Sequence, residues 1–530
     1  MRMSQKLPYC IIAFAGIMGE CYNLIVMTLL IRNVQILGGV REFPEPMDVF
    51  VAGDKISAIG HFPNKKADNV LDGQGAYLSP GFIDVNTDSD HYLTLFDYPS
   101  QDDFLKQGVT TIFGGMCGSS LAPLLYGSLE SMRKWGGSEE KVNVNWHTMA
   151  ELLAAIDKRP LGVNFGTMVG HSTIRRALVG DELRDLTKNE LNVFTATLRR
   201  ALGEGAFGLS TGLGYVHGRS ATSTELKVLA GIVHEYGGIY ATHLRDLGSG
   251  VGDSIDETIA LAESSGVHTL VSHFVPLTRS RKEYAAALKR IEALPASFDF
   301  HFDIYPFDTM LLPVYTFLPI WAQNGGTAKM LMNIADPWLA KRILREMESI
   351  RADLTLIVQA PGNDFLVGKS LKEIGDIYGI ADVREIMLRF MKETHLRGII
   401  LAKVIDEDIA RRALADPRSF IASDAPSFGA MKGRKQLKTE RTTSTFAAFL
   451  SLADHGLLSM QDAIGKITRD PAREFGLALR GEVKEGNFAD LVCFKNGEFK
   501  FTIVNGRVAV LNGEFQNVFS GRALRHAAKR

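Results

Sequence analysis

The sequence predicts an α/β protein. We expect a (β/α)8 TIM-like barrel, a small β-sandwich domain built from both chain ends, and an insertion between barrel strands seven and eight. Eight apolar, β-rich runs alternate with helical stretches, which is typical of a parallel sheet covered by helices. Short strand-like runs separated by Gly and Asn-Gly turns occur near both chain ends. The length of 530 residues exceeds one ordinary domain.

The two chain ends are predicted to close into one composite β domain of residues 27–78 and 475–520. Both segments read as short antiparallel strands: Leu29 to Val34, Asp48 to Val51, Lys55 to Ile59, Ala489 to Phe494, Phe501 to Val504 and Arg507 to Leu511. A chain can leave a sheet and return to it after a large insert. Residues 1–26 precede this domain as an extension whose fate the sequence leaves open.

Residues 79–474 are predicted to form the barrel. Its strand candidates are Gly81 to Asp88, Val109 to Met116, Val163 to Val169, Ala206 to Ser210, Gly238 to Thr242, Val267 to Ser272, Ser297 to Ile304 and Ser419 to Ser423. The long gap before the last strand predicts an inserted subdomain at about residues 312–375. Because barrel active sites lie at the carboxyl ends of the strands, this insert should lie at the active-site rim.

Composition and charge limit the range of partners. The 59 basic and 60 acidic residues give a net charge of −1, which provides no electrostatic reason to expect nucleic acid or an anionic membrane. The four cysteines lack a C-x-x-C motif, so a disulfide framework is not expected. The apolar stretch Cys10 to Met18 follows two basic residues but is far too short to span a membrane. No A-x-A cleavage site follows it, and we expect a cytoplasmic protein, with export left open.

Polar residues with metal-binding chemistry stand at the predicted carboxyl ends of several strands. Cys117, His243 and His273 fall after strands two, five and six. Three nitrogen and sulfur donors that leave a fourth position for water are typical of a catalytic zinc site, and thiolate with imidazole suits zinc better than magnesium or calcium. Asp424, after strand eight, could take the proton of the activated water and later protonate the leaving nitrogen.

Each of these residues also has a structural interpretation. A single histidine at a strand end is more often packed and hydrogen-bonded than a ligand, and a lone buried cysteine usually acts as a small hydrophobe. Their joint placement at one end of a predicted barrel favours the metal site. For His171 the structural interpretation is better, and Asp84 is expected to order a loop or a neighbouring strand.

These residues belong to a larger set of motifs that resembles the N-acyl-D-amino-acid deacylases (D-aminoacylases) of the amidohydrolase superfamily. The resemblance covers most of residues 27–512. Its motifs are Pro80-Gly81-Phe82-Ile83-Asp84, Cys117-Gly118, Gly208-Leu209-Ser210-Thr211-Gly212, Thr242-His243-Leu244-Arg245, Ser272-His273, Asp303-Ile304-Tyr305-Pro306, Ser423-Asp424 and Gly486-Asn487-Phe488-Ala489-Asp490-Leu491. The resemblance implies hydrolysis of the amide of an N-acyl-D-amino acid.

The resemblance also implies roles for individual residues. Cys117, His243 and His273 would hold the tightly bound Zn²⁺, about one per chain, and Asp424 would be the acid/base residue. Arg441 matches the family's carboxylate-binding arginine, and Tyr305 is expected to contact substrate or to pack. The expected partner is therefore a small-molecule substrate that bears a carboxylate; the sequence predicts no oligomeric state.

The chain departs from the family at several positions. Asn86 and Asp88 replace the two histidines expected after strand one, and Asp88 is a further candidate oxygen ligand. Val275, Leu311 and Thr439 replace a lysine, a serine and a histidine. These changes predict an empty second metal position and leave room for a different substrate.

Two alternatives to the deacylase reading stay open. One is a catalytically impaired barrel that binds a ligand or partner, although decay would not be expected to spare Cys117, His243, His273 and Asp424. The other is a hydrolase of cyclic amides or ureas. Arg441 slightly favours an acyclic carboxylate substrate over it.

Overall fold

In a computed structural model, the chain is described over residues 27–39, 43–127, 129, 144–180, 182–429 and 437–527. The predicted extension of residues 1–26 lies outside this range. No helix in the described part is long and apolar enough to cross a membrane.

Eight parallel strand segments form the barrel, as the sequence predicts. Their bounds are Phe82–Asp84, Val109–Gly114, Asn164–Thr167 (continued by Val169–Gly170), Gly208–Gly212, Ile239–His243, His268–Val271, Phe300–Ile304 and Ser419–Ile421. Neighbouring segments pair in parallel from strand one to strand eight. Backbone bonds close the ring, since the amide of Asp424 donates to the carbonyl of Asn86 at 2.9 Å. The carboxyl ends of all eight strands therefore face one side.

Amphipathic helices cover the outside of the barrel. The longer ones are Met149–Asp157, His171–Val179, Lys188–Gly203, Ser223–Glu235, Val251–Ser265, Arg281–Glu292, Glu407–Ala415, Glu440–Asp454 and Met460–Ile467. Capping boxes fix two of their starts, at Thr148 with Glu151 and at Thr187 with Glu190. Short helices Thr94–Asp97, Asp102–Leu105, Val216–Arg219 and Arg469–Glu474 lie in the loops.

Both chain ends contribute to one eight-stranded sheet. Its strand order is Glu514–Phe515, Arg507–Leu511, Glu498–Val504, Leu491–Lys495, Asn69–Pro80, Thr28–Ile36, Met47–Ala52 and Lys55–Gly60. One pair, Thr28–Ile36 with Asn69–Pro80, is parallel rather than antiparallel, because the chain crosses over residues 61–68 before it re-enters the sheet. Side chains alternate between two cores: Leu491 and Cys493 face the domain interior, whereas Val492 and Phe494 pack on the barrel.

The insertion between strands seven and eight has its own sheet and apolar core. Its strands Thr309–Pro313 and Thr355–Gln359 both pair with a central strand, Ile399–Lys403. Its helices are Ile320–Gln323, Gly326–Ala335, Pro337–Glu346, Leu371–Tyr378 and Val383–Glu393. The insert extends beyond the expected residues 312–375 because its central strand comes last in sequence. It lies over the carboxyl end of the barrel and forms much of the wall of a cavity there.

Candidate metal centre and active site

Cys117, His243 and His273 meet at the carboxyl end of the barrel. The Nε2 atom of His273 lies 3.4 Å from the Cys117 sulfur and 2.8 Å from Nδ1 of His243. The potential ligand atoms of the three residues all lie within 4.8 Å of one another, and all three side chains are buried. Ligands at about 2.0–2.3 Å from one zinc ion have similar mutual spacings. Two imidazole nitrogens facing each other also require a proton or a cation between them. The donor set and its spacing therefore fit zinc.

The backbone at the site adopts an uncommon conformation at three positions. Cys117, His273 and Asp424 have φ values of 53°, 36° and 45°, in the left-handed region. A residue other than glycine in such a conformation costs roughly 1–3 kcal/mol and persists only where the surrounding structure enforces it. Each residue follows a barrel strand, and the turn directs its side chain over the barrel end. The fold therefore maintains backbone strain at three residues whose side chains must converge for the predicted chemistry.

Asp424 lies beside the triad and is held by Arg441. The Nη2 atom of Arg441 donates to both the carboxylate and the carbonyl of Asp424, and its Nε donates to the carbonyl of Ser423 at 3.0 Å. The guanidinium lies 4.1 Å from the centroid of the Tyr305 ring and is 1% exposed. Burial raises the pKa of Asp424 above its ordinary value, although the charge of Arg441 opposes this. The carboxylate faces the cavity.

Asp88 also faces the cavity, and a histidine that the sequence analysis missed supports it. The Oδ1 atom of Asp88 lies 2.7 Å from Nδ1 of His91, whose Nε2 lies 3.0 Å from the carbonyl of Ser119. Burial disfavours the imidazolium form of His91, but the nearby carboxylates of Asp90 and Asp88 outweigh this and raise its pKa to about 9. Asp88 is thus paired with a cationic side chain. In the sequence, the only indication of this pair is that a histidine, His91, stands three residues after Asp88.

Asn86 stands where the first histidine is expected, and its side chain links strand one to strand seven. Its Nδ2 lies 3.2 and 3.4 Å from the two carboxylate oxygens of Asp303, and Asp303 accepts the backbone amide of His273 at 2.7 Å. Asp84 accepts the amides of Asn86 and Ser423 at 3.3 and 3.1 Å, as expected of a residue that orders neighbouring strands. These contacts connect strand one to strands six, seven and eight beneath the triad.

A cavity of about 1350 Å³ opens above these residues. Asp88, His243, His273 and Asp424 lie at its base, and Tyr215 contacts His243 with a ring-centroid distance of 4.4 Å. The insert supplies an apolar wall that includes Met310, Leu311, Leu312, Phe317 and Trp321. Neither Tyr305 nor Arg441 belongs to the described lining, and the hydroxyl of Tyr305 is buried without a hydrogen-bond partner among the described residues. Their predicted contacts with substrate stay predictions.

The cavity wall also carries cations that the sequence analysis did not single out. Three of them are ion-paired: Arg279 with Glu348, Arg351 with Asp353, and Lys403 with Asp308. Arg219 lines the cavity from the short helix after strand four. Among the described residues its side chain has no ion-pair or hydrogen-bond partner. By contrast, His171, for which a structural role is expected, is buried and bonded to Glu225 at 2.7 Å.

Known proteins resemble this chain in both sequence and structure. The chain is 30% identical over 476 residues to a D-aminoacylase of Alcaligenes xylosoxydans xylosoxydans, across 88% of this chain and 87% of the relative. It is 28% identical to an N-acyl-D-glutamate deacylase of the same organism, with the same coverage. A D-aminoacylase of known structure aligns with a TM-score of 0.75 and 26% identity over 94% of this chain and 99% of the other.

No family model matches the chain. The aligned D-aminoacylase has a binuclear metal centre with one-metal activation and second-metal attenuation. The sequence relationship covers 88% of this chain, and the structural alignment covers 94%. The chain therefore belongs to the D-aminoacylase family of amidohydrolases, metal-dependent enzymes that hydrolyse C–N bonds other than peptide bonds.

Proposed function

We propose that this protein is a mononuclear zinc hydrolase that deacylates an N-acyl-D-amino acid or a closely related carboxylate-bearing amide. The observation that carries the proposal is the convergence of Cys117, His243 and His273 beside Asp424 at the base of a large cavity. Cys117, His243 and His273 would hold the zinc. A binding protein without catalysis would have no need of an acid/base residue held beside a metal site.

Zinc at such a site lowers the pKa of water and polarises the scissile carbonyl. Asp424 would accept a proton from the attacking water and deliver it to the leaving nitrogen. Its charged form is favoured by Arg441 and its neutral form by burial, a balance that suits a group that gains and then loses a proton. Arg441 donates one hydrogen bond to the Asp424 carboxylate and one to its backbone carbonyl, and together they would keep Asp424 oriented through both steps.

A single metal ion in the active site is supported by the residues after strand one. Asn86 is committed to Asp303, and Asp88 to His91. Neither residue offers an imidazole, so a second soft metal ion would have to rely on oxygen donors already in use. The aligned D-aminoacylase has one-metal activation and second-metal attenuation, which supports a single-metal active site here.

The substrate carboxylate has two candidate partners. Arg219 is the cation of the described cavity wall that lacks an ionic partner, and a guanidinium suits bidentate carboxylate binding. Arg441, which the sequence predicts for this role, is buried behind Asp424. We infer that Arg219 is the first contact of the carboxylate and that Arg441 acts mainly by positioning Asp424. The N-acyl-D-amino acids processed by the relatives carry such a carboxylate.

Metal analysis combined with a substrate screen tests the proposal. Protein purified without added metal is expected to lose one zinc equivalent in Cys117→Ala but none in Cys493→Ala, a matched buried cysteine in the β domain. Wild type should hydrolyse N-acyl-D-amino acids in preference to the L forms, and Asp424→Asn should abolish this activity. Absence of a Cys117-dependent metal would favour a binding protein. Metal without deacylation, but with turnover of cyclic amides or ureas, would favour that second hydrolase class.

A further inference from the structure

A second cluster of metal-binding side chains lies at the other end of the barrel. His268 begins strand six, Asp299 immediately precedes strand seven, and His301 lies in that strand. Glu474 is the last residue of helix Arg469–Glu474. We refer to these four residues as the basal cluster. Because the amino ends of parallel strands lie opposite their carboxyl ends, the basal cluster is separate from the active site.

Histidine and carboxylate side chains alternate around the basal cluster. His301 Nε2 lies 3.4 Å from Asp299 Oδ1 and 3.5 Å from Glu474 Oε2, and His268 Nδ1 lies 3.5 Å from Glu474 Oε1. His268 Nδ1 also contacts Asp299 Oδ2. The ligand atoms of His268, Asp299 and Glu474 all lie within 4.8 Å of one another. Such spacings suit ligands that share one cation.

These contacts are ion pairs, and not all of them have the geometry of hydrogen bonds. Within the described part of the chain, His268 Nδ1 and Glu474 Oε1 are both buried without a hydrogen-bond partner, despite the short distances. The Glu474 side chain is only 8% exposed. A buried carboxylate oxygen without a well-aligned donor is costly, and positive charge at the centre stabilises it. Asp299 and Glu474 raise the pKa of His268 to about 10, so either protonated imidazoles or a bound cation can supply that charge.

The outer side of His301 is also arranged as in metal sites. Its Nδ1 lies 3.2 Å from the carbonyl of Arg418, and metal-ligating histidines usually donate their other ring N–H to such an acceptor. The ring stacks on Phe420 at a centroid distance of 4.7 Å and an interplanar angle of 14°. Backbone and packing therefore both fix the ring with Nε2 directed at the carboxylates.

We propose that the basal cluster binds a divalent cation of the zinc class in a structural role. In the bound form His268, Asp299 and Glu474 would supply three ligands, and His301, which lies within 3.5 Å of both carboxylates, would supply a fourth. With the imidazoles neutral, the two carboxylates would balance the charge of a divalent ion. The bound ion would connect strands six and seven to the helix that leads from the barrel back to the β domain. Catalysis at the opposite end does not depend on it.

Metal stoichiometry tests this inference without an activity assay. The double variant Cys117→Ala/His243→Ala lacks two ligands of the proposed active-site metal. After dialysis we expect it to retain one zinc equivalent per chain, whereas wild type should retain two. Adding His301→Gln or the isosteric Glu474→Gln should remove it, whereas adding His455→Gln, at an exposed surface histidine, should not. Zinc added to the metal-stripped Cys117→Ala/His243→Ala protein should raise the thermal midpoint by roughly 2 °C or more.

Two results would overturn the inference. One is a Cys117→Ala/His243→Ala protein that retains no metal and gains no thermal stability from zinc, which would identify the basal cluster as an ion-pair network of protonated histidines. The other is retention of the same equivalent after both His301→Gln and Glu474→Gln. Loss of the Cys117-dependent metal alone would concern the active site and leave this inference standing.

Discussion

The ion pair between Arg441 and Asp424 gives a quantitative prediction. Substituting Arg441 by Met keeps an unbranched chain but leaves the Asp424 carboxylate, 13% exposed, without its cation. Breaking a buried pair in this way costs about 3–5 kcal/mol of stability. Loss of the cation–π contact with Tyr305 is part of the same change and is worth about 0.5–2 kcal/mol. We expect a total loss of about 4 kcal/mol at neutral pH.

Denaturant unfolding at neutral pH and steady-state kinetics measure the two consequences. If the unpaired charge causes the loss, Arg441→Met/Asp424→Asn should be more stable than Arg441→Met by about 1–3 kcal/mol. Because Asp424 loses its orientation, kcat of Arg441→Met should fall at least about 100-fold, with a smaller change in KM. The matched control is Arg175→Met, since Arg175 is equally buried and paired with Glu225, away from the described cavity lining.

We expect Arg175→Met to lose comparable stability while its folded fraction retains kcat. The reasoning would be refuted by an Arg441→Met protein that is within about 1 kcal/mol of wild type and has a raised KM with an unchanged kcat. That outcome would show that Arg441 reaches the cavity and binds the substrate carboxylate, the role that the sequence predicts for it.

Three further predictions concern the pH dependence, the carboxylate contact and the metal count. Burial raises the pKa of Asp84 to about 7, so the stability from its protonated form is fully present below its unfolded pKa of about 3.9 and is lost as pH rises towards 7. In chelator-treated protein, the free energy of unfolding should therefore fall by roughly 4 kcal/mol between pH 4 and 8 because of Asp84, and Asp84→Asn should lack this contribution. Identical pH profiles of the unfolding midpoint for wild type and Asp84→Asn would contradict the prediction. Arg219→Met should raise KM at least about 10-fold with little change in kcat, and Arg219→Lys should raise KM less than Arg219→Met does. The control variant Arg279→Met removes an ion-paired cation from the same wall and should change KM much less. Asn86→His/Asp88→His should bind one more metal equivalent than wild type by elemental analysis, and an unchanged count would show that the histidines alone do not recreate the second position.

The barrel and the triad could be predicted because each depends on local sequence signals. Buried parallel strands are continuous apolar runs, so all eight appear in the sequence close to their observed bounds. Cys117, His243 and His273 stand at or just after the carboxyl ends of such runs. Barrel closure brings those strand ends together regardless of the loop sequences, so the convergence of the three side chains follows from the topology.

The partners of the site residues could not be predicted in the same way. Arg441 belongs to a helix and its burial against Asp424 depends on how that helix packs on the barrel. His91 lies in a loop and Arg219 in a one-turn helix, neither with a periodic pattern. Only the structure shows that His91 pairs with Asp88 and that Arg219, in the cavity wall, has no ionic partner among the described residues. The extent of the insert was missed because its central strand, Ile399–Lys403, pairs with strands far away in sequence.

The pairing of charges around the triad bears directly on the number of metal ions. Asp88 is balanced by His91 and Asp424 by Arg441, and Asp303 is engaged by Asn86 and the amide of His273. Among the described residues at the base of the cavity, the Cys117 thiolate is then the anion left for a metal. One divalent cation would be bound by that thiolate and by the two imidazoles. A second would have to displace His91 or Arg441 from a buried carboxylate, at a cost of about 3–5 kcal/mol for each broken pair. New histidines at positions 86 and 88 would leave only the Arg441 pair opposing a second ion, which is why that double variant tests the metal count most directly.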